Sequence, residues 1–167
     1  MAAGATYNCI ATTTLSSAAS SVTFSSIPGT YTDLVLIVNQ TATTTNNHGI
    51  QFNSDTNFNY STTLVYGNGT SAISERKATS GGGATPYIFT NNGGVTAIST
   101  SIIQIMNYSN TTTYKTLLSR WSQGNLAAAA FVGLWQNTSA ITSVTYLAGA
   151  GNINSGSTFT LYGILSA

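Results

Sequence analysis

Apolar residues in this chain fall in short runs of period two, each closed by a cluster of Gly, Asn or Ser, and that rhythm specifies strands. In the run over 99–108, Ile103 and Ile105 share one face, while Ile102, Gln104 and Met106 share the other. Over 114–121, Tyr114, Thr116 and Leu118 alternate with Lys115, Leu117, Ser119 and Trp121. Residues 33–38, Asp-Leu-Val-Leu-Ile-Val, are a continuous apolar run of strand length, which suits a strand buried on both faces. Further strands are expected over 7–15, 22–24, 49–53, 61–66, 87–90, 141–147 and 158–164, with 22–24 and 87–90 short and 49–53 and 61–66 less clearly patterned.

One stretch pulls the other way. Ala127, Ala128, Ala129 and Ala130 have high helix propensity. They sit between turn signals at strand spacing and run into Phe131-Val-Gly-Leu-Trp135, so a strand is expected over 126–135. Four small side chains there would let another sheet or subunit approach closely. Turns are expected at Gly67-Asn68-Gly69, Asn91-Asn92-Gly93-Gly94, Asn110–Thr113, Gly124-Asn125 and Asn154-Ser155-Gly156. Glu75, Arg76 and Lys77, followed by three glycines at 81–83, are expected in an exposed, mobile loop. The expected fold is all-β: a single antiparallel β-sandwich over residues 1–167, jelly-roll-like, with about eight main strands. No period of 20–50 residues repeats, which argues against solenoids and propellers.

Charge is scarce. Only 4% of the 167 residues are Asp, Glu, Lys or Arg, against about 25% in an ordinary soluble domain. Ser, Thr and Asn replace them, at roughly 40% of the chain. Disorder is not the reading, because 42% of residues are hydrophobic and 10% aromatic, with abundant β-branched side chains. A net charge of +1 gives no long-range attraction toward nucleic acid or an anionic membrane. It also leaves little repulsion between copies, so association through apolar and neutral polar contacts is expected.

The same scarcity limits chemistry. The acids are Asp33, Asp55 and Glu75; the bases are Arg76, Lys77, Lys115 and Arg120; His48 is the single histidine. Neither metal-ligand spacing nor a paired glycosidase carboxylate is visible, and no Gly-x-Ser-x-Gly elbow occurs. His48 and Asp55 could meet across a hairpin, but a surface-loop histidine is the preferred reading. No enzyme activity, cofactor or metal is expected. The glycines at 81–83 lack the Lys-Ser/Thr of a phosphate loop, and four bases are too few for a nucleic-acid surface. Lone Cys9 is expected to pack as a small strand residue. Six Asn-x-Ser/Thr sequons, at Asn39, Asn59, Asn68, Asn107, Asn110 and Asn137, are expected from composition alone. The first residues have neither the basic nor the apolar region of a signal peptide, and no stretch is long and apolar enough for a membrane-spanning helix.

Aromatic residues are the candidates for contact. Phe131, Trp135, Trp121, Tyr108 and Tyr114 are expected at packing or subunit-interface positions. The competing reading places Trp121, Trp135, Tyr108 and Tyr114 on one stacking platform for a sugar.

Three stretches carry a resemblance: 22–28 with 31–34 and the apolar strand after them, 107–116, and 157–164. Together they resemble small β-sandwich proteins of tailed-phage particles, known variously as capsid decoration (cement), head-fibre and tail-fibre proteins. The resemblance implies a jelly-roll-like virion module, usually a homotrimer, without enzymatic activity and made in the host cytoplasm. It carries over no functional residue. A first strand expected from about residue 7 leaves no room for a coiled-coil shaft, a departure from the fibre pattern. The first expectation is therefore a decoration protein bound to the major capsid protein or another virion protein. The second is a receptor-binding module that recognises host surface glycan or protein.

Overall fold

A computed structural model describes residues 6–77 and 85–165. The glycines expected at 81–83 in a mobile loop lie outside the described residues. Within them the chain is all-β, with twelve strands and no helix. In chain order these are β1 (Tyr7–Thr14), β2 (Ser21–Phe24), β3 (Asp33–Gln40), β4 (Asn46–Phe52), β5 (Tyr60–Gly67), β6 (Ala72–Lys77), β7 (Ile88–Gly93), β8 (Ser99–Met106), β9 (Lys115–Gln123), β10 (Ala127–Trp135), β11 (Val144–Ala148) and β12 (Thr158–Ile164). They form an eight-stranded sheet, ordered β1-β12-β3-β8-β9-β10-β5-β6, and a four-stranded sheet, ordered β2-β11-β4-β7. Neighbours in both sheets are antiparallel.

The two sheets share one core, as in a sandwich. Leu34, Leu36 and Val38 of β3, Ile103 and Ile105 of β8, and Phe159 and Leu161 of β12 come from the large sheet. Val22, Phe24, Ile50, Phe52, Val144 and Tyr146 answer from the small one. The period-two reading of β8 and β9 holds residue by residue: Ile103 and Ile105 are buried, Ile102 and Gln104 exposed, and β9 alternates from Lys115 to Gln123. In β3, Leu34, Leu36 and Val38 are buried on the core side, and Val35 is buried on the other.

Asparagine does much of the turn closing in a chain with few charges. Asn68 Oδ1 accepts from the backbone N–H groups of Thr70 and Ser71 at 3.0 and 2.8 Å, and Gly69 takes the positive φ (88°) that the β5–β6 turn requires. Asn110 Oδ1 accepts from Thr112 and Thr113 in the same way at 2.7 and 2.8 Å. Tyr108 holds the loop before β3: its hydroxyl donates to the Pro28 carbonyl and accepts from the Tyr31 N–H at 3.3 Å. Tyr31 in turn lies over Gly163 of β12, where a Cβ would fall 2.3 Å from the ring.

Two expectations need correction. Glu75 and Arg76 are exposed and Lys77 half-buried, but all three end strand β6 rather than lying in a loop, because β5 offers them a free edge in register (Leu64 opposite Glu75). Asn91, Asn92 and Gly93 end β7 rather than turning, since β4 pairs with them through Asn46–His48. The alanine run is a strand as expected: β9 and β5 pair with it from both sides and override its helix propensity.

Candidate functional site

Strand β10 builds two concave surfaces, one on each face of the large sheet. Its side chains alternate, so Ala128, Ala130 and Val132 point outward while Ala127, Ala129 and Phe131 point toward the small sheet. Alanine at four of these positions leaves hollows on both sides.

On the outer face, two rows of side chains cross the sheet in register. One runs Val132–Leu118–Gln104–Val35 across β10, β9, β8 and β3. The other runs Val65–Ala130–Arg120–Ile102 across β5, β10, β9 and β8. Val65, Ile102, Leu118 and Val132 are exposed, from 37% at Ile102 to 54% at Val65. Together with Val35 and Arg120 they line a shallow groove of about 420 Å³, with Tyr7 at one end. Exposed branched aliphatic residues on two adjacent rows of a sheet face form an apolar patch of the kind that marks contact surfaces. Among the described residues lining the groove only Arg120 is charged, and Arg76 lies beyond it on the same face, opposite Thr63.

On the inner face the large sheet extends beyond the small one, whose edge strand is β7. Leu64, Phe89, Trp121 and Phe131 form a second, smaller cluster there, with Tyr66, Tyr87, Ala127 and Ala129 packed against it. A cleft of about 330 Å³ opens beside it. Trp121, Phe131 and Tyr66 supply its apolar wall; Asn47, Asn91 and Asn92 supply amides from β4 and β7. Glu75 also borders it and is ion-paired with Lys77 two residues along β6. The Trp121 indole N–H is already taken, donating to Ser99 Oγ at 2.6 Å.

Behind the amide wall lies a buried polar network. Gln40 Nε2 donates to the Tyr146 hydroxyl at 2.6 Å, and that hydroxyl donates to Asn91 Oδ1 at 2.9 Å. His48 Nδ1 sits 2.9 Å from Gln40 Nε2 and 3.1 Å from its Oε1, with the ring edge-on to Tyr146. Burial lowers the His48 pKa to about 4 and pushes the Tyr146 hydroxyl up, so both are neutral at ordinary pH. Among the described residues, Asn91 Nδ2, Asn92 Oδ1 and His48 Nε2 are buried without a hydrogen-bond partner.

The sequence-predicted residues separate. Trp121 and Phe131 meet in the smaller cluster. Trp135 and Tyr108 are both fully buried in the main core. Tyr114 is exposed in the segment leading into β9. The four-aromatic sugar platform is therefore not formed, because two of its members have no surface to offer. His48 is likewise not a surface-loop residue: it is fully buried in β4, where its partners are Gln40 and Tyr146 rather than Asp55. Asp55 accepts instead from Asn57, Asn59 and Trp135. Among the described residues, no three His, Cys, Asp or Glu side chains gather into a metal-binding group. Sequence reasoning missed Tyr66, Asn47, Asn91 and Asn92, since one residue pair looked like a turn and no local signal ties β4 to β5. Val65 and Val132 were also missed, and the signal that could find them is the period-two alternation of their strands.

No protein-family model matches this chain, and no curated protein matches it.

Proposed function

We propose that this protein is a structural component of a tailed-phage particle, of the capsid-decoration type, which associates with copies of itself through the outer face of the eight-stranded sheet. The observation that carries the reading is the apolar patch of Val65, Ile102, Leu118 and Val132, exposed on two adjacent cross-sheet rows around a groove in which Arg120 is the one charge among the described residues. A second copy is the occupant that the composition favours, because a net charge of +1 opposes self-association very little. The resemblance of residues 22–28 with 31–34, 107–116 and 157–164 to phage-particle proteins supports the particle and the trimeric state. The decoration reading gives the protein a mechanical role: it contributes buried interface present only in the assembled shell, and whatever binds only the assembled state stabilises it by mass action.

Particles assembled without the protein test the role. They are expected to adsorb to their host normally and to release DNA sooner under heat or osmotic shock. Equal robustness with and without the protein, combined with purified protein that blocks adsorption, would replace decoration with receptor binding.

A further inference from the structure

We propose that Asn68 is a site of spontaneous self-modification, where the side-chain amide closes onto the backbone nitrogen of Gly69 and leaves a carboxylate in the β5–β6 turn. The inference rests on one dipeptide placed in two different settings, and it does not depend on the particle reading.

The chain contains two Asn-Gly dipeptides, Asn68-Gly69 and Asn92-Gly93. In such a pair the Gly nitrogen attacks Asn Cγ: a C–N bond forms, the Cγ–Nδ2 bond breaks, and ammonia departs with the Gly amide proton. Water then opens the five-membered imide at either carbonyl, giving aspartate or its backbone-lengthened isomer, isoaspartate. Glycine is the favourable neighbour because it has no Cβ to obstruct the approach.

The fold treats the two pairs differently. Asn68 and Gly69 are exposed, and a Cβ on Gly69 would meet nothing within 4 Å. Asn68 Oδ1 accepts from the Thr70 N–H and hydroxyl at 3.0 and 2.9 Å, and from the Ser71 N–H at 2.8 Å. These donors fold the side chain back over the turn. They also sit on the oxygen that gains charge as the ring closes, the arrangement that stabilises acyl-transfer intermediates. Asn92 and Gly93, by contrast, end β7 opposite Asn47 and Asn46 of β4. Gly93 is buried, and a Cβ on it would overlap the His48 ring. Ring closure at Asn92 first requires β7 to open.

The modification acts on the edge of the large sheet. Strand β6 ends the sheet order, pairs with β5, and is exposed from Ala72 to Arg76, so it depends on the turn that Asn68 closes. A carboxylate at position 68 shares the inner cleft with Glu75 of β6, and like charges repel. Isoaspartate also lengthens the backbone within the turn, and turn length fixes hairpin register. The converted chain therefore releases β6 and with it Glu75, Arg76 and Lys77, the charges that discourage edge-to-edge association.

The test incubates the full chain, folded and denatured, at mildly alkaline and mildly acidic pH. Peptides are mapped by mass spectrometry, with electron-transfer fragmentation to separate isoaspartate from aspartate. Asn68 of the folded chain is expected to convert to both acids, faster at the alkaline pH because the attacking nitrogen must lose its proton. Minor open states hold about 0.1–10% of a population, so Asn92 should convert at least about tenfold more slowly. In the denatured chain the two should convert at similar rates, which assigns the difference to the fold. Hydrogen exchange of the β6 amides should quicken in the converted chain. It should stay slow in Asn68→Ser, which keeps an oxygen acceptor for the turn but cannot cyclise. Asn68 still intact in the folded chain long after the denatured chain has converted, or equal rates at Asn68 and Asn92 in the folded chain, would overturn the assignment. Unaltered β6 exchange in the converted chain would overturn the release of the strand.

Discussion

The Trp135 indole N–H donates to the Asp55 carboxylate at 2.8 Å, tying the end of β10 to the turn after β4 across 80 residues of sequence. Trp135 is also stacked on Tyr60 and tilted against Phe52, so one side chain joins both sheets and the turn. Truncating a buried tryptophan costs about 3–5 kcal/mol. Trp135→Ala is therefore expected to lower the urea midpoint by that equivalent or to prevent folding. An unchanged midpoint would contradict the assignment of Trp135 to the core.

Asp55 itself gathers four donors on two oxygens: the Asn57 backbone and side chain on one, Asn59 and Trp135 on the other. Burial pulls its pKa up, but the hydrogen bonds from Asn59, the Asn57 backbone, Trp135 and the Asn57 amide outweigh it and hold the carboxyl at about 2. A carboxyl depressed in the folded state stabilises the fold above its ordinary value near 4 and loses that contribution as pH falls through about 2. Asp55→Asn places an amide nitrogen against two of the donors, and should cost about 1.5–3 kcal/mol, the range for hydrogen bonds to a charged group. It should also flatten the acid limb of the stability curve below pH 4.

His48 gives a separate pH window. Its pKa is lowered to about 4 by burial, so between about 6.5 and 4 the unfolded chain takes up a proton that the folded chain refuses. Stability should be full above pH 6.5 and decline on acidification to about pH 4, by on the order of 3 kcal/mol. Because His48 is the only histidine, His48→Gln should remove the slope. Urea denaturation at pH 7, 6 and 5 checks this, and a flat profile in the native protein would show the imidazole to be solvated.

Gly49 and Gly133 both lie tight against β7, the first on its sheet neighbour β4 and the second on β10 of the facing sheet. A Cβ on Gly49 would lie 2.4 Å from the Ile88 carbonyl oxygen, and one on Gly133 would lie 2.3 Å from Ile88 Cγ2. The first clash is with backbone and cannot be relieved by a rotamer change. Gly49→Ala should therefore destabilise more than Gly133→Ala, which meets only side chains, and overpacked cores typically lose about 1–3 kcal/mol. Thermal melts of the two variants would show the order, and equal or reversed losses would count against this packing of β7.

Much of the fold was legible because strand alternation is a local signal. The two faces of β8 and β9 could be told apart from the sequence, as could the strand state of the alanine run, whose flanking turns outweigh its propensity. Asn91 and Asn92 were misread because an Asn-Asn-Gly-Gly string signals a turn wherever no partner strand is visible, and their partner, β4, lies more than 40 residues earlier. Burial of His48 was illegible for the same reason: Gln40, Tyr146 and Asn91 meet only through pairings between sheet strands distant in sequence. The cleft depends on one sheet extending past the other, and no local pattern encodes an overhang. Phe131 and Trp121 were recognised as packing residues, but the site they border is a property of the sandwich.

Sedimentation equilibrium of the native protein beside a Leu118→Lys/Val132→Asp variant tests the outer face directly. Both side chains are exposed in the single chain, so neither substitution disturbs the core, but each would bury a charge if the face is an interface. The native protein should sediment at three times the 17.3 kDa chain mass and the variant at the chain mass itself, with unchanged far-ultraviolet circular dichroism. A native protein that remains a 17.3 kDa monomer at high concentration, or a variant that associates as well as the native chain, would contradict the account.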